Sequence, residues 1–146
     1  MTIMYRTRIP MYYLIVTCLL FSTSAYAEKI DAFTSDGCSA FPDGTFQENE
    51  LWLACCTNHD VAYWQGGTSE QRLAADNELK QCVAAVGKPN IAKLMLEGVR
   101  IGGSPYFPTS FRWGYGWDFF RGYQPLTADE KKQIKAMGIK LNQELE

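Results

Sequence analysis

The side chains of this chain that are best suited to chemistry lie in one short segment, residues 55–60, with the sequence CCTNHD. His59 is the only histidine of the chain, and Asp60 follows it directly. An imidazole can act as a general base, and a neighbouring carboxylate can hold a hard metal ion. The segment is therefore the first place to look for a catalytic site.

Residues 1–27 have the order of a secretory signal: two arginines, an apolar run over residues 11–21, and small residues that end at Ala27. We therefore expect cleavage after Ala27 and export of residues 28–146 as one domain, either to the periplasm or out of the cell. The apolar run is shorter than the roughly 20 residues that a spanning helix needs. A retained membrane anchor is thus the less favoured alternative.

The charge of the exported part is mildly acidic. Loss of Arg6 and Arg8 lowers the 14 basic side chains to 12, against 16 acidic ones, which leaves a net charge of about −4. This balance predicts neither nucleic-acid binding nor strong electrostatic adsorption to anionic lipid. We expect a monomer.

Four cysteines remain after cleavage: Cys38, Cys55, Cys56 and Cys82. An even number in a small exported domain favours two disulfides. Cys55 and Cys56 are adjacent, so on a helix they point about 100° apart and each bonds elsewhere. A zinc site built from these two cysteines with His59 and Asp60 is the alternative, which an oxidising compartment disfavours.

Capping and turn signals predict four helices. The predicted segments are 45–65, 68–87, 90–101 and a C-terminal helix that starts at Thr127 and carries Ile134, Met137, Leu141 and Leu145 at helical spacing. The first, second and last begin with a threonine followed three residues later by Glu or Gln. A glycine pair at 66–67 makes the first two helices antiparallel neighbours.

The register of these two helices predicts which residues face each other. From Cys55 to His59 the first helix advances about 6 Å, and from Cys82 back to Asp76 the second covers about 9 Å. A disulfide between Cys55 and Cys82 would therefore place Asp76 beside His59. The predicted pairing is Cys55–Cys82 and Cys38–Cys56.

At these residues the chain resembles the secreted phospholipase A2 family. That family carries Cys-Cys-x-x-His-Asp-x-Cys-Tyr on one helix, and on the facing helix Cys-Asp followed by a cysteine six residues after the aspartate. The matching residues are Cys55, Cys56, His59, Asp60, Tyr63, Asp76 and Cys82. Two cysteines that the family joins to each other are replaced by Ala62 and Ala75, so one whole bridge is absent. The resemblance covers about residues 36–83.

The resemblance implies a mainly α, phospholipase A2-like fold with two antiparallel disulfide-linked helices, a small β element and a C-terminal helix. Residues 111–119 alternate aromatic side chains with Gly, Arg and Asp, which predicts an extended strand with an aromatic face. We interpret this segment either as core packing over the helices or as a lipid-facing surface.

The resemblance also implies a function, which is calcium-dependent hydrolysis of phospholipid ester bonds with release of a fatty acid. His59 would act through a water as general base, and Asp76 would orient it. Tyr63 would support that aspartate, and Asp60 would hold the calcium ion. The expected partner is a phospholipid at a membrane interface.

The loop around Cys38 departs most from the family. The resemblance assigns the backbone carbonyls of Gly37, Ser39 and Phe41 as calcium ligands, yet most of the expected glycines are missing. Asp36 or Asp43 are alternative ligands. The altered loop keeps open a second function, a phospholipase-like module that binds lipid or a protein partner without turnover.

Overall fold

The computed structural model describes residues 28–138, so the predicted secretory signal and the final turns of the predicted C-terminal helix, with Leu141 and Leu145, lie outside the described residues. The described part is mainly helical, as predicted, and contains no β-strand. Its elements are α1 (Leu53–Gln65), α2 (Ser69–Ala85), α3 (Pro89–Gly102), a short 3-10 helix (Phe119–Arg121) and α4 (Ala128–Ala136). None of these helices is long and apolar enough to cross a membrane.

Helices α1, α2 and α3 pack together around one apolar cluster. Its buried members are Trp52, Cys55, Cys56, Leu79, Val83, Ala92 and Met95. The predicted capping box of α2 is present, since the Thr68 hydroxyl accepts from Gln71 N at 3.3 Å and the Gln71 side chain accepts from Thr68 N at 2.9 Å. Helix α3 starts with Pro89 at its first turn, where a missing N–H has no cost.

Two disulfides fix the arrangement of α1. Cys38–Cys56 joins the preceding loop to α1, and Cys55–Cys82 joins α1 to α2. This is the pairing that the helix register predicts. Because both cysteines of the proposed zinc site are disulfide-bonded, the zinc alternative is wrong.

The predicted start of the first helix is wrong, because α1 begins at Leu53. Glu48 N does donate to the Thr45 hydroxyl, at 3.1 Å, but the chain turns back there instead of entering a helix. Thr45 N donates to Glu48 O at 2.8 Å and Trp52 N to Asp43 O at 3.0 Å. These turns bring the Trp52 indole into the core, where only 3% of it is exposed.

The strand predicted over residues 111–119 is also wrong: this segment is a series of turns against the C-terminal end of α1. Gly114 N donates to Tyr63 O at 2.6 Å, and Gly116 N donates to Trp64 O at 3.1 Å. A Cβ on Gly116 would lie 2.6 Å from the Trp64 indole, so the close approach needs glycine. The last carbonyls of a helix lack partners within it, and here the segment supplies them.

The aromatic side chains of this segment serve the same helix end. The Trp113 indole donates to Gly67 O at 3.0 Å and the Trp117 indole donates to Gln65 O at 2.7 Å. Both tryptophans are 2% exposed. Of the two interpretations given for the segment, core packing is therefore correct for its tryptophans.

Helix α4 closes this second core. Its predicted capping box at Thr127 is present, with the Thr127 hydroxyl accepting from Glu130 N at 3.2 Å. Ile134 packs with Ile30, Trp64 and Trp117. The helix therefore stabilises the far side of α1.

Candidate active site

His59 and Asp76 meet across the α1–α2 interface. His59 Nε2 lies 3.0 Å from Asp76 Oδ1, and both side chains are buried. The antiparallel packing of the two helices, fixed by the Cys55–Cys82 disulfide, produces this contact. The structure thus brings together the two residues that the register argument places side by side.

Tyr63 holds the same carboxylate. Its hydroxyl donates to Asp76 Oδ1 at 2.7 Å, and its ring stacks at a tilt 4.2 Å from that of His59. Burial, together with the Asp76 carboxylate, raises the pKa of Tyr63 well above its usual value, so its hydroxyl stays a donor. A Cβ on Gly103 would collide with the Tyr63 hydroxyl, so glycine there leaves room for it.

Two arginines reach Asp76, and sequence reasoning missed both. Arg100 Nε lies 2.9 Å from Asp76 Oδ2, and Arg72 Nε lies 3.9 Å from the same oxygen. The Arg100 contact is an ion pair without hydrogen-bond alignment, since Oδ2 accepts no hydrogen bond from the described residues. Arg72 stands four residues before Asp76, a helical neighbour that the sequence could have revealed. No sequence pattern locates Arg100.

Arg72 is held by several neighbours. Its guanidinium donates to the Tyr63 hydroxyl at 3.1 Å, to the Tyr123 hydroxyl at 2.7 Å and to Val99 O at 2.8 Å. It thereby ties the C-terminal part of α3 to α2 next to His59 and Asp76. This network holds Tyr63, which donates to Asp76 Oδ1, and it places a positive charge near Asp76 Oδ2.

The contacts of Asp76 determine which nitrogen of His59 is free. An aspartate carboxylate between two guanidinium groups can only accept hydrogen bonds, so His59 Nε2 carries the proton and donates it. Nδ1 is then unprotonated, and no described residue donates to it. His59 can therefore accept a proton from a molecule in front of Nδ1.

His59 and Asp60 lie in the wall of a cavity of about 390 Å³. The loop over residues 37–41 closes one side of this cavity, and helix α3 forms another. Most of the wall is apolar, with Phe41, Leu79, Leu94, Met95, Val99 and Phe111. An apolar cavity with a few polar groups at one point is typical of a ligand site.

Asp60 is a buried carboxylate in a negative environment. The Ser35 hydroxyl donates to Asp60 Oδ2 at 2.6 Å. Burial raises the pKa of Asp60 to about 7; the Ser35 hydrogen bond opposes this effect, and the negative charges of Asp36 and Asp43 add to it. A bound cation would offset this unfavourable charge.

The Cys38 loop has the backbone conformation of a glycine-rich loop at two points. Gly37 and Ser39 have φ angles of +76° and +55°. Asp43 Oδ1 accepts from Cys38 N at 2.8 Å, and a Cβ on Gly37 would collide with that oxygen. The Asp43 side chain therefore stabilises the loop by accepting from its backbone. The Asp36 side chain also stabilises it, by accepting from the Ser39 hydroxyl at 2.9 Å.

The donor set in this region suits calcium better than a softer metal. In residues 28–138 no three His, Cys, Asp or Glu side chains converge as a metal site. The carbonyl oxygens of Gly37, Ser39 and Phe41 accept no hydrogen bond from the described residues, and all three residues line the same cavity as Asp60. One carboxylate with backbone oxygens fits a hard cation that prefers oxygen ligands.

Comparisons with known proteins identify no relative. No protein-family model matches the chain, and no curated protein or solved structure is significantly similar to it.

Proposed function

We propose that this protein hydrolyses ester bonds of phospholipids in a calcium-dependent reaction of the phospholipase A2 type, releasing a fatty acid. The observation that carries the proposal is the buried His59–Asp76 pair at the wall of an apolar cavity, with Asp60 beside it. A base, an oriented carboxylate and an apolar site for an acyl chain are what ester hydrolysis by an activated water requires.

In this mechanism His59 Nδ1 accepts a proton from a water whose oxygen attacks the ester carbonyl carbon. The resulting tetrahedral intermediate collapses, the bond to the alkoxide breaks, and His59 returns the proton to the leaving oxygen. Asp76 holds the imidazole in the required tautomer and offsets the positive charge that the ring gains. Tyr63 keeps the carboxylate in place through its 2.7 Å hydrogen bond.

Asp60 and the carbonyls of Gly37, Ser39 and Phe41 would hold the calcium ion. When bound, calcium supplies polarisation of the ester carbonyl and stabilisation of the negative oxygen that develops there. The Cys38–Cys56 disulfide keeps the loop against α1, the helix that carries Asp60.

The protein would bind its substrate at a phospholipid surface outside the cytoplasm. Two disulfides suit an oxidising compartment, and the order of residues 1–27 is that of an export signal, so we propose a periplasmic or released protein. We propose that it acts as a monomer and does not bind nucleic acid.

Fatty-acid release from phosphatidylcholine vesicles, with calcium or with excess chelator, tests this function. We expect release only with calcium, and a loss of at least 100-fold in His59→Gln, because general-base catalysis contributes about that factor or more. The matched control is Asn58→Gln, an exposed neighbour on α1, which keeps wild-type activity. Wild-type turnover in His59→Gln would refute the proposal, since the chain has no other histidine.

The second candidate is a module that binds lipid without turnover. It is favoured by the loop around Cys38, which lacks most of the glycines that the resemblance leads us to expect around the calcium ion. Vesicle binding without any fatty-acid release under the same conditions would support this candidate over the enzyme.

A further inference from the structure

Helix α3 leaves an opening in the cavity wall at Gly98. Leu94, Gly98 and Gly102 follow one another at intervals of four residues and all line the cavity. A Cβ added to Gly98 would have no atom within 4 Å, whereas one on Gly102 would lie 3.8 Å from the Phe111 ring. Gly98 therefore faces open space.

Neither packing nor backbone conformation requires glycine at this position. Gly98 lies inside a regular helix and is not among the glycines with positive φ. Glycine is among the least favourable residues in a helix interior. At Gly103, by contrast, a Cβ would collide with the Tyr63 hydroxyl. Gly98 lines the cavity and is itself exposed, so the absence of a side chain there leaves the cavity unfilled at its rim.

The contacts of α3 indicate how the cavity runs from His59 past Gly98. The Tyr63 hydroxyl lies 3.4 Å from Val99 O, so the catalytic pair stands beside the C-terminal half of α3. From there the cavity extends along α3 to Leu94, about 6 Å further along the axis from Gly98. Leu94 is 58% exposed, which marks the open end.

We infer that one acyl chain lies along α3 over Gly98, and that the absence of a side chain at Gly98 determines how long a chain the site accepts. The reacting carbonyl would stand at His59 and the chain would leave toward Leu94. The walls on this path are apolar and offer no hydrogen-bond partner to a polar group. That this chain belongs to an ester rests on the proposed function, whereas its path over Gly98 rests on the cavity alone.

The first test is binding, which needs no turnover. Dodecylphosphocholine below its micelle concentration is titrated calorimetrically into the oxidised protein and its variants. Gly98→Leu is expected to weaken binding at least tenfold, and Gly98→Ala less. Glu97→Leu adds the same side chain at the neighbouring position of α3, which does not line the cavity. Its affinity for the probe is expected to stay within twofold of that of the wild type. Thermal unfolding checks that each variant folds.

Two results would overturn the inference: wild-type protein that does not bind the probe, or Gly98→Leu that binds it within twofold of wild type. Equal weakening in Glu97→Leu would overturn it as well, since the effect would then not come from the cavity.

The second test compares turnover of p-nitrophenyl dodecanoate with that of p-nitrophenyl butanoate. The ratio of long-chain to short-chain turnover is expected to fall at least tenfold in Gly98→Leu and to stay unchanged in Glu97→Leu. An unchanged ratio in Gly98→Leu refutes the inference and leaves the proposed hydrolysis intact. Binding that depends on Gly98, with no hydrolysis by the wild type, refutes the hydrolysis and supports the inference.

Discussion

Arg100 contacts the oxygen of Asp76 that His59 leaves unused. Arg100 Nε lies 2.9 Å from Oδ2, while His59 and Tyr63 both contact Oδ1. The buried carboxylate therefore has separate partners on its two oxygens, His59 and Tyr63 on Oδ1 and Arg100 on Oδ2. The negative charge that orients the imidazole is thereby offset within the protein.

Removal of the Arg100 charge should destabilise the fold. We expect Arg100→Gln to lower the free energy of unfolding by about 1 kcal/mol, a modest value because 31% of the Arg100 side chain is exposed and Arg72 remains. Urea denaturation measures the change. Arg100→Lys keeps the charge and should lose less; equal losses in the two variants would show that packing, not charge, matters.

Neutralising Asp76 should lower the free energy of unfolding by more than removing the Arg100 charge does. Asp76→Asn leaves Arg72 and Arg100 with uncompensated charge beside a fully buried site, so we expect a loss of about 3 kcal/mol. The amide oxygen can still accept from His59 Nε2, so some activity should remain, above that of His59→Gln.

A double variant separates the two effects. Asp76→Asn combined with Arg100→Gln should lose less stability than the sum of the single changes, because the second change removes a charge that the first left unpaired. Strict additivity in denaturation experiments would contradict the ion-pair interpretation.

The arrangement of α1 and α2 could be predicted because their register depends only on helical geometry and on a short glycine turn. The contact between His59 and Asp76 and the pairing of the two disulfides follow from this register. Arg100 could not be found in this way. It lies on α3, and its approach to Asp76 depends on how that helix packs, which no local pattern encodes.

The two wrong predictions, the start of the first helix and the strand over residues 111–119, also failed because tertiary packing overrode a local pattern. The hydrogen bond between Thr45 and Glu48 is present, as at Thr68, but burial of Trp52 turns the chain back before a helix can form. In residues 111–119 aromatic and small or polar residues alternate, but not because the segment is a β-strand. Its glycines approach α1 closely, and its tryptophans donate to carbonyls at the C-terminal end of that helix.

The two disulfides should contribute to different properties. Replacing Cys38 and Cys56 by alanine frees the loop that faces Asp60, so we expect weaker calcium binding in addition to a loss of about 3 kcal/mol from loop-closure entropy. Replacing Cys55 and Cys82 should lower stability by a similar amount and reduce activity, because it loosens the His59–Asp76 register.

Calorimetric calcium titration and thermal unfolding of both double variants distinguish these effects. Unchanged calcium affinity without the Cys38–Cys56 bridge would show that the loop does not hold the ion.

Two glycines of the α3 region should respond in opposite ways to alanine. Gly103→Ala drives a Cβ into the Tyr63 hydroxyl, so we expect a loss of about 1–3 kcal/mol and lower activity. Gly98→Ala meets no atom and should stabilise the helix by about 0.5–1 kcal/mol. Thermal denaturation of the pair tests this contrast, and similar shifts in both would contradict the packing around Tyr63.

The last prediction concerns pH and calcium at Asp60. Its pKa is raised from 3.8 to about 7, so between these values the folded protein holds a proton that the unfolded chain has lost. Stability from this group is therefore complete below about pH 4 and is lost as the pH rises through about 7. In chelator, the wild type should unfold more easily at pH 8 than at pH 5. Asp60→Asn should remove this dependence and be more stable than the wild type at pH 8, by on the order of 2 kcal/mol.

Calcium should reverse this loss. An ion binds the ionised carboxylate, so its stabilising effect should be larger at pH 8 than at pH 5, where protons compete for Asp60. With a dissociation constant of roughly 0.1–1 mM, 10 mM calcium should add about 1.5–3 kcal/mol at pH 8 and nothing in Asp60→Asn. Thermal unfolding at both pH values, with calcium or chelator, measures all four conditions. Equal calcium stabilisation of the wild type and Asp60→Asn would place the ion away from this carboxylate and exclude Asp60 as its ligand.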